Sequence, residues 1–178
     1  MTNHMLLTNA ALISRTAHRA IGQKRKYTGD DYHIHPQAVA EIVRKWGGTD
    51  SMIAAALLHD VIEDTHLTSD DLLGYVGVHV TELVVELTDV SKPSDGNRAV
   101  RKAIDRAHLA KASREAKMIK IADLMDNTAS IVTHDPQFAK VYLREKQALL
   151  EVLQDGNPEM WEVATRSVEE HLTRLEHA

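Results

Sequence analysis

Cysteine is absent from the 178 residues, which excludes disulfides, iron–sulfur ligation, cysteine-type zinc sites and a thiol nucleophile. Any metal on this chain must therefore sit on histidine and carboxylate side chains. Aromatic residues are scarce, at 4% with a single Phe, so the stacking platform that single-stranded nucleic acid needs is missing. Excess positive charge is missing too. The formal charge is −5, and a protein that coats nucleic acid needs a dominant basic surface to release counterions. The longest apolar run, Met52 to Leu58, falls far short of the roughly 18 residues that suggest a bilayer span. Met1 to Asn9 has no basic start, adequate apolar stretch or small-residue cleavage site, so a secretory signal is not expected and a cytoplasmic address is.

What is present, 43% hydrophobic and 26% charged residues, is the balance of a soluble globular chain. No internal repeat, low-complexity tract or long linker divides it, so one domain over residues 1–178 is predicted. Apolar residues recur at helical spacing from end to end, and no stretch alternates in the manner of a strand. The reading is all-α, a bundle of about eight to ten helices.

Helical periodicity and punctuation predict helices at about Thr8 to Lys24, from Pro36 to Trp46, and from Thr49 or Ser51 onward. The last of these is apolar on all sides through Ile53 to Leu58 and is expected to be central. Thr68 with Asp71 resembles a capping box, and Gly77 separates that short helix from one over Val78 to Leu87. Ser91 to Asn97 reads as a loop whose mobility suits a substrate-side flap. Helices over Arg98 to Lys111, after Ser113 and from Pro136 follow, and a last one at 158–176 is expected to pack on the rest.

The chemistry gathers where the most apolar helix turns polar, at His59-Asp60-Val61-Ile62-Glu63-Asp64. Burying these groups unpaired costs several kcal/mol, roughly, so the cluster needs a partner, and a metal ion satisfies it. Adjacent helix positions differ by about 100°, which lets His59 and Asp60 converge on one ion, with Glu63 and Asp64 a turn further along the same helix edge. Two residues do not complete a shell. His35, just before the helix at Pro36, and Asp123, which interrupts an apolar face with Asn127 one turn on, are the best further candidates. Two imidazoles and two carboxylates suit Mn²⁺ or Fe²⁺, with Zn²⁺, Co²⁺ or Ni²⁺ able to substitute in vitro. His18, His66, His79, His108, His134, His171 and His177 lack such company, and surface or satisfied polar roles are expected for them; His33, two residues from His35, is left open.

Two basic segments, Arg15 to Lys26 and Arg98 to Lys120, read either as solvated helix faces or as contacts to a small polyanion.

The strings Gly22-Gln23-Lys24-Arg25-Lys26, Tyr32-His33-Ile34-His35-Pro36, Leu58-His59-Asp60-Val61-Ile62-Glu63-Asp64-Thr65 and Ile121-Ala122-Asp123 with Asn127 together resemble the hydrolase domain of the RelA/SpoT family. That domain belongs to the HD superfamily of metal-dependent phosphohydrolases, and the resemblance covers about residues 8–153. With no synthetase or regulatory region in the sequence, the stand-alone small alarmone hydrolases are the most similar type. The resemblance implies Mn²⁺ on His35, His59, Asp60 and Asp123, a catalytic pair Glu63 and Asp64, and substrate contacts from Arg25, Lys26 and Asn127. It implies removal of pyrophosphate from the ribose 3′ position of (p)ppGpp, with some relatives acting on adenine alarmones or on NADPH. Charge balance adds Arg98 and Arg106 as candidate phosphate contacts. The expected partner is a small nucleotide, not nucleic acid or membrane, and a homo-oligomer suits a small metabolic enzyme.

One departure stands out. The family usually places basic residues directly after the Ala-Asp pair and two positions after the Asn, where this chain has Leu124 and Ala129. Guanine preference is therefore open, and an adenine alarmone, another phosphorylated nucleotide or an inactive alarmone sensor are the competing expectations.

Overall fold

The computed structural model describes residues 2–177 and is all-α, and among them the only β-type pairing is one bridge between Lys24 and Asp31. The chain groups into two compact units, one up to Thr88 and one from Asp89.

The first unit contains α1 (Asn3–Ala20), α2 (Ile34–Lys45), α3 (Asp50–Leu58), α4 (Val61–Asp64), α5 (Ser69–Val76) and α6 (Val78–Leu87). As expected, α3 is central: every residue from Met52 to Leu58 is buried, and the helix packs on α1, α2 and α6. A helix apolar on all sides is stable only when neighbours cover it all round. Thr49 caps α3 by accepting the Met52 N–H, and Thr68 with Asp71 forms the predicted capping box on α5.

Three boundaries differ from the sequence reading. Helix α1 starts earlier, because the Thr2 hydroxyl accepts the Met5 N–H, and stops at Ala20, because Gly22 turns the chain at a φ of 67°. Helix α2 includes His35: the Ile34 and His35 N–H groups donate to Asp31 and Tyr32 carbonyls, so the turn runs straight into the helix. Pro36 remains in the first turn, where a missing N–H is harmless. The single helix expected through Asp64 is broken at His59 and Asp60.

The second unit has one 3₁₀ turn (Pro93–Asp95) and then α7 (Arg98–Leu109), α8 (Arg114–His134), α9 (Pro136–Leu150) and α10 (Pro158–Glu176). Asn97, Ser113, Asp135 and Asn157 cap them in turn, each side-chain oxygen accepting a backbone N–H. Helix α8 packs on α9 and α10, and α10 lies on α9. The loop before α7 is anchored at its start, and residues 92–97 beyond that are exposed. Buried Asp105 accepts from the Val90 and Ser91 N–H groups and the Ser91 hydroxyl, at 2.9–3.1 Å.

Gly156 touches the backbone of α8. A Cβ there would lie 2.7 Å from the Met118 nitrogen and 2.9 Å from the Lys117 carbonyl carbon. Backbone cannot swing aside as a side-chain tip can, so Gly156→Ala is expected to lower stability by about 1–3 kcal/mol in urea denaturation. An unchanged midpoint and slope would show that the contact relaxes freely.

Candidate metal centre

In the first unit Tyr32, His35, His59 and Asp60 meet. The His59 Nδ1 lies 2.8 Å from the Ala56 carbonyl oxygen. That oxygen carries no proton, so Nδ1 bears the hydrogen and, in the neutral ring, Nε2 keeps its lone pair. The contact sits at the helix break, with α3 ending at Leu58 and α4 starting at Val61. Asp60 stands at the N-cap of α4, at φ −98° and ψ −3°, with the Asp64 N–H donating to its carbonyl.

His59 Nε2 lies 3.1 Å from Asp60 Oδ2, and His35 Nε2 is 3.8 Å from that same oxygen. The two rings stand edge to face with centroids 5.2 Å apart, and their ligand nitrogens lie within 4.8 Å of one another. A neutral imidazole lone pair and a carboxylate oxygen repel at 3.1 Å unless a cation joins them. Both histidines are 2% exposed, so water screens the pair poorly. A proton or a divalent ion meets the need, and nitrogen plus carboxylate donors with one ring nitrogen fixed by a carbonyl fit a transition metal. Tyr32 donates to Asp60 Oδ2 at 2.7 Å and so holds the carboxylate in place.

Asp64 is half-buried at the end of α4, while Glu63 is exposed. Gln23 Nε2 donates to Asp64 Oδ2 at 2.8 Å, and Gln23 Oε1 lies 2.6 Å from His18 Nδ1. His18 is fully buried and its ring lies 4.8 Å from that of Tyr32, so neither a surface role nor a fully satisfied one holds: Nδ1 meets Gln23, and buried Nε2 has no hydrogen-bond partner. Burial holds the Asp64 carboxyl above the usual range and Asp60 pushes the same way, while the Gln23 N–H and the charges of His18 and His59 oppose them. Arg25 and Lys26 lie in the turn closed by the Lys24–Asp31 bridge, with the Arg25 N–H donating to the Asp30 carbonyl and the Lys26 ammonium 3.2 Å from the Tyr27 hydroxyl.

The remaining expected residues belong to the second unit. Asp123 is buried on α8, its Oδ2 3.0 Å from the Lys120 ammonium and its Oδ1 accepting from Asn127 Nδ2 at 2.6 Å. Asn127, expected to reach water or substrate, thus also orients a carboxylate. Arg98 forms a two-pronged pair with Glu145 at 2.7 and 2.8 Å. Arg106 is half-buried on α7.

Sequence reasoning missed the Tyr32 and Gln23 supports. Both lie inside quoted strings, but neither hydroxyl nor amide announces its partner, since Gln23 reaches across 41 positions and Tyr32 across 28.

An HD-domain family model matches residues 10–153, and the chain belongs to that family. It is 32% identical over 71% of its length to a Mycoplasma pneumoniae protein named probable guanosine-3′,5′-bis(diphosphate) 3′-pyrophosphohydrolase, of which it covers 18%. It is 32% identical over 73% of its length to the Xenopus tropicalis guanosine-3′,5′-bis(diphosphate) 3′-pyrophosphohydrolase MESH1, covering 75% of that protein. The chain thus spans under a fifth of the Mycoplasma relative and three quarters of the Xenopus one. A solved structure described as a metazoan orthologue of SpoT that hydrolyses ppGpp superposes with a TM-score of 0.80 at 25% identity, over 95% of this chain and 94% of that one.

The support from Gln23 is measurable without any assay of activity. Gln23→Met removes a donor that favours the carboxylate, so the Asp64 pKa is expected to rise in a ¹³C NMR titration of its carboxyl group. A value unchanged or lower would show that the Gln23 hydrogen bond does not set the charge of Asp64.

Proposed function

We propose that this protein is a Mn²⁺-dependent 3′-pyrophosphohydrolase of alarmone nucleotides. The observation that carries the reading is the pair of buried imidazoles aimed at one Asp60 oxygen, in a chain whose relatives are named for that hydrolysis. His35, His59 and Asp60 would hold the ion, and Asp123 would complete the set from the second unit. The burial of Asp123 and the fixing of both its oxygens by Lys120 and Asn127 support that role.

A divalent ion held there supplies charge against the phosphoryl oxygens and makes water more acidic. Asp64, with one oxygen fixed by Gln23, takes the proton of the attacking water, and Glu63 beside it aims that water. Water adds to the phosphorus on ribose O3′, the P–O3′ bond breaks, the 3′ oxygen gains a proton and pyrophosphate leaves. Arg25, Lys26 and Arg106 neutralise phosphate charge and Asn127 faces the substrate; Arg98 would have to leave Glu145 to join them. No organic cofactor is needed. Within this reading the two units act as one HD-type domain, in keeping with a family match that runs across both.

Adenine alarmones are a second reading, favoured by Leu124, which is buried at 1% exposure, and by uncharged Ala129, at the two positions where the family resemblance implies basic residues.

The metal-loaded protein should release pyrophosphate from ppGpp, pppGpp, ppApp or pppApp, with NADPH as a further substrate in the panel and products identified by mass spectrometry. EDTA should abolish turnover and Mn²⁺ restore it. Asp60→Ala should lose the ion, whereas Glu63→Ala and Asp64→Asn should keep it and lose about 10²–10⁴-fold in rate. Wild-type rates in both acid variants would remove the acid assignment. Tight nucleotide binding without turnover on any substrate would make the protein a sensor instead.

A further inference from the structure

His18 is fully buried near the end of α1 and belongs neither to the expected ligand set nor to the acidic pair. The chain links it to Gln23 twice. Helix α1 ends in a Schellman motif: with Gly22 at a φ of 67°, the Gly22 N–H donates to the Arg19 carbonyl and the Gln23 N–H to the His18 carbonyl, both at 3.0 Å. The same turn brings the Gln23 side chain to the imidazole, with Oε1 2.6 Å from Nδ1. Gln23 in turn donates from Nε2 to Asp64 Oδ2 at 2.8 Å. The His18 ring also lies 4.8 Å from that of Tyr32, whose hydroxyl donates to Asp60 Oδ2 at 2.7 Å. One buried ring thus touches the supports of both Asp60 and Asp64.

The run of contacts from His18 to Asp64 has a direction. An ionised carboxylate only accepts hydrogen bonds, so Asp64 takes the NH₂ end of Gln23, which leaves the amide oxygen for His18 and requires the hydrogen on Nδ1. From the other end, a ring with Nδ1–H opposes the reversed amide, whose NH₂ would meet the ring N–H and whose oxygen would meet the carboxylate. A glutamine without such a neighbour turns its nearly equal oxygen and nitrogen ends freely. His18 Nε2 is buried with no hydrogen-bond partner among the described residues, which costs stability that an apolar side chain of similar volume would not. Packing alone therefore does not account for an imidazole here, whereas the Nδ1 donor does.

We propose that His18 is a positioning residue for Asp64: its Nδ1–H sets the orientation of the Gln23 amide, and the amide holds the carboxylate that takes the proton of the attacking water. The catalytic value of this link rests on the hydrolase reading; the orientation itself does not. In this role His18 acts only through Gln23.

Two measurements on the full chain test it. The first is ¹⁵N NMR of the His18 ring in metal-free protein, at a pH where the ring is neutral, which tells a protonated ring nitrogen from a bare one. Nδ1 is expected to carry the proton in the wild type, and Gln23→Met to release that preference. A bare Nδ1 in the wild type overturns the proposal, since Gln23 would then turn its oxygen toward Asp64, and so does an Nδ1 equally protonated in Gln23→Met. The second is steady-state kinetics of the Mn²⁺-loaded protein on ppGpp. His18→Phe, which keeps a ring and removes the donor, is expected to lower kcat roughly three- to tenfold with little change in KM, the scale of one neutral hydrogen bond. His18→Asn, whose amide nitrogen takes the place of Nδ1, should recover kcat to within about twofold of the wild type. Adding His18→Phe to Gln23→Met should cost nothing further, because the link is already cut. Circular dichroism and thermal unfolding verify that the variants are folded; should His18→Phe not fold, the ring tautomer decides alone. Wild-type kcat in folded His18→Phe, or an equal loss in the Phe and Asn variants that adds to that of Gln23→Met, overturns the proposal. A protonated Nδ1 that Gln23→Met releases, in a protein that hydrolyses no alarmone, upholds the orientation and defeats the hydrolase reading. Alarmone hydrolysis with a bare wild-type Nδ1 does the reverse.

Discussion

The contact between His59 Nδ1 and the Ala56 carbonyl, 2.8 Å long, is the constraint from which the first unit's site follows. It fixes the tautomer, so that the inward nitrogen is an acceptor. It lies where α3 ends, and there Asp60 Oδ2 comes within 3.1 Å of the ring's Nε2. The apolar burial of α3 anchors this arrangement, since His59 follows directly on seven consecutive buried residues.

Around that contact the supporting hydrogen bonds all serve to aim carboxylates. Tyr32 holds Asp60, Gln23 holds Asp64, and in the other unit Lys120 and Asn127 hold Asp123. Side chains that orient ligands and acids in this way lower the reorganisation needed when a cation or a substrate arrives.

Much of this was legible in the sequence. The all-α fold, the central place of α3, the Thr68–Asp71 capping box and the clustering of His35, His59 and Asp60 follow from periodicity and residue type, which are local properties. Less legible was the break at His59 and Asp60. Nothing in that string says that the helix stops there or that the imidazole takes the Ala56 carbonyl. The reach of Gln23 to Asp64, the burial of His18, and the pinning of the 90–91 loop by Asp105 depend on contacts between distant positions.

The most direct measurement of the central claim is the anomalous diffraction signal of crystals soaked in Mn²⁺. A single peak within about 2.3 Å of both His35 Nε2 and His59 Nε2, with Asp60 coordinating, is the expected result, and that distance is the ordinary one for imidazole on a divalent transition ion. A peak elsewhere, or a His59 ring turned so that Nδ1 leaves the Ala56 carbonyl, would contradict the account.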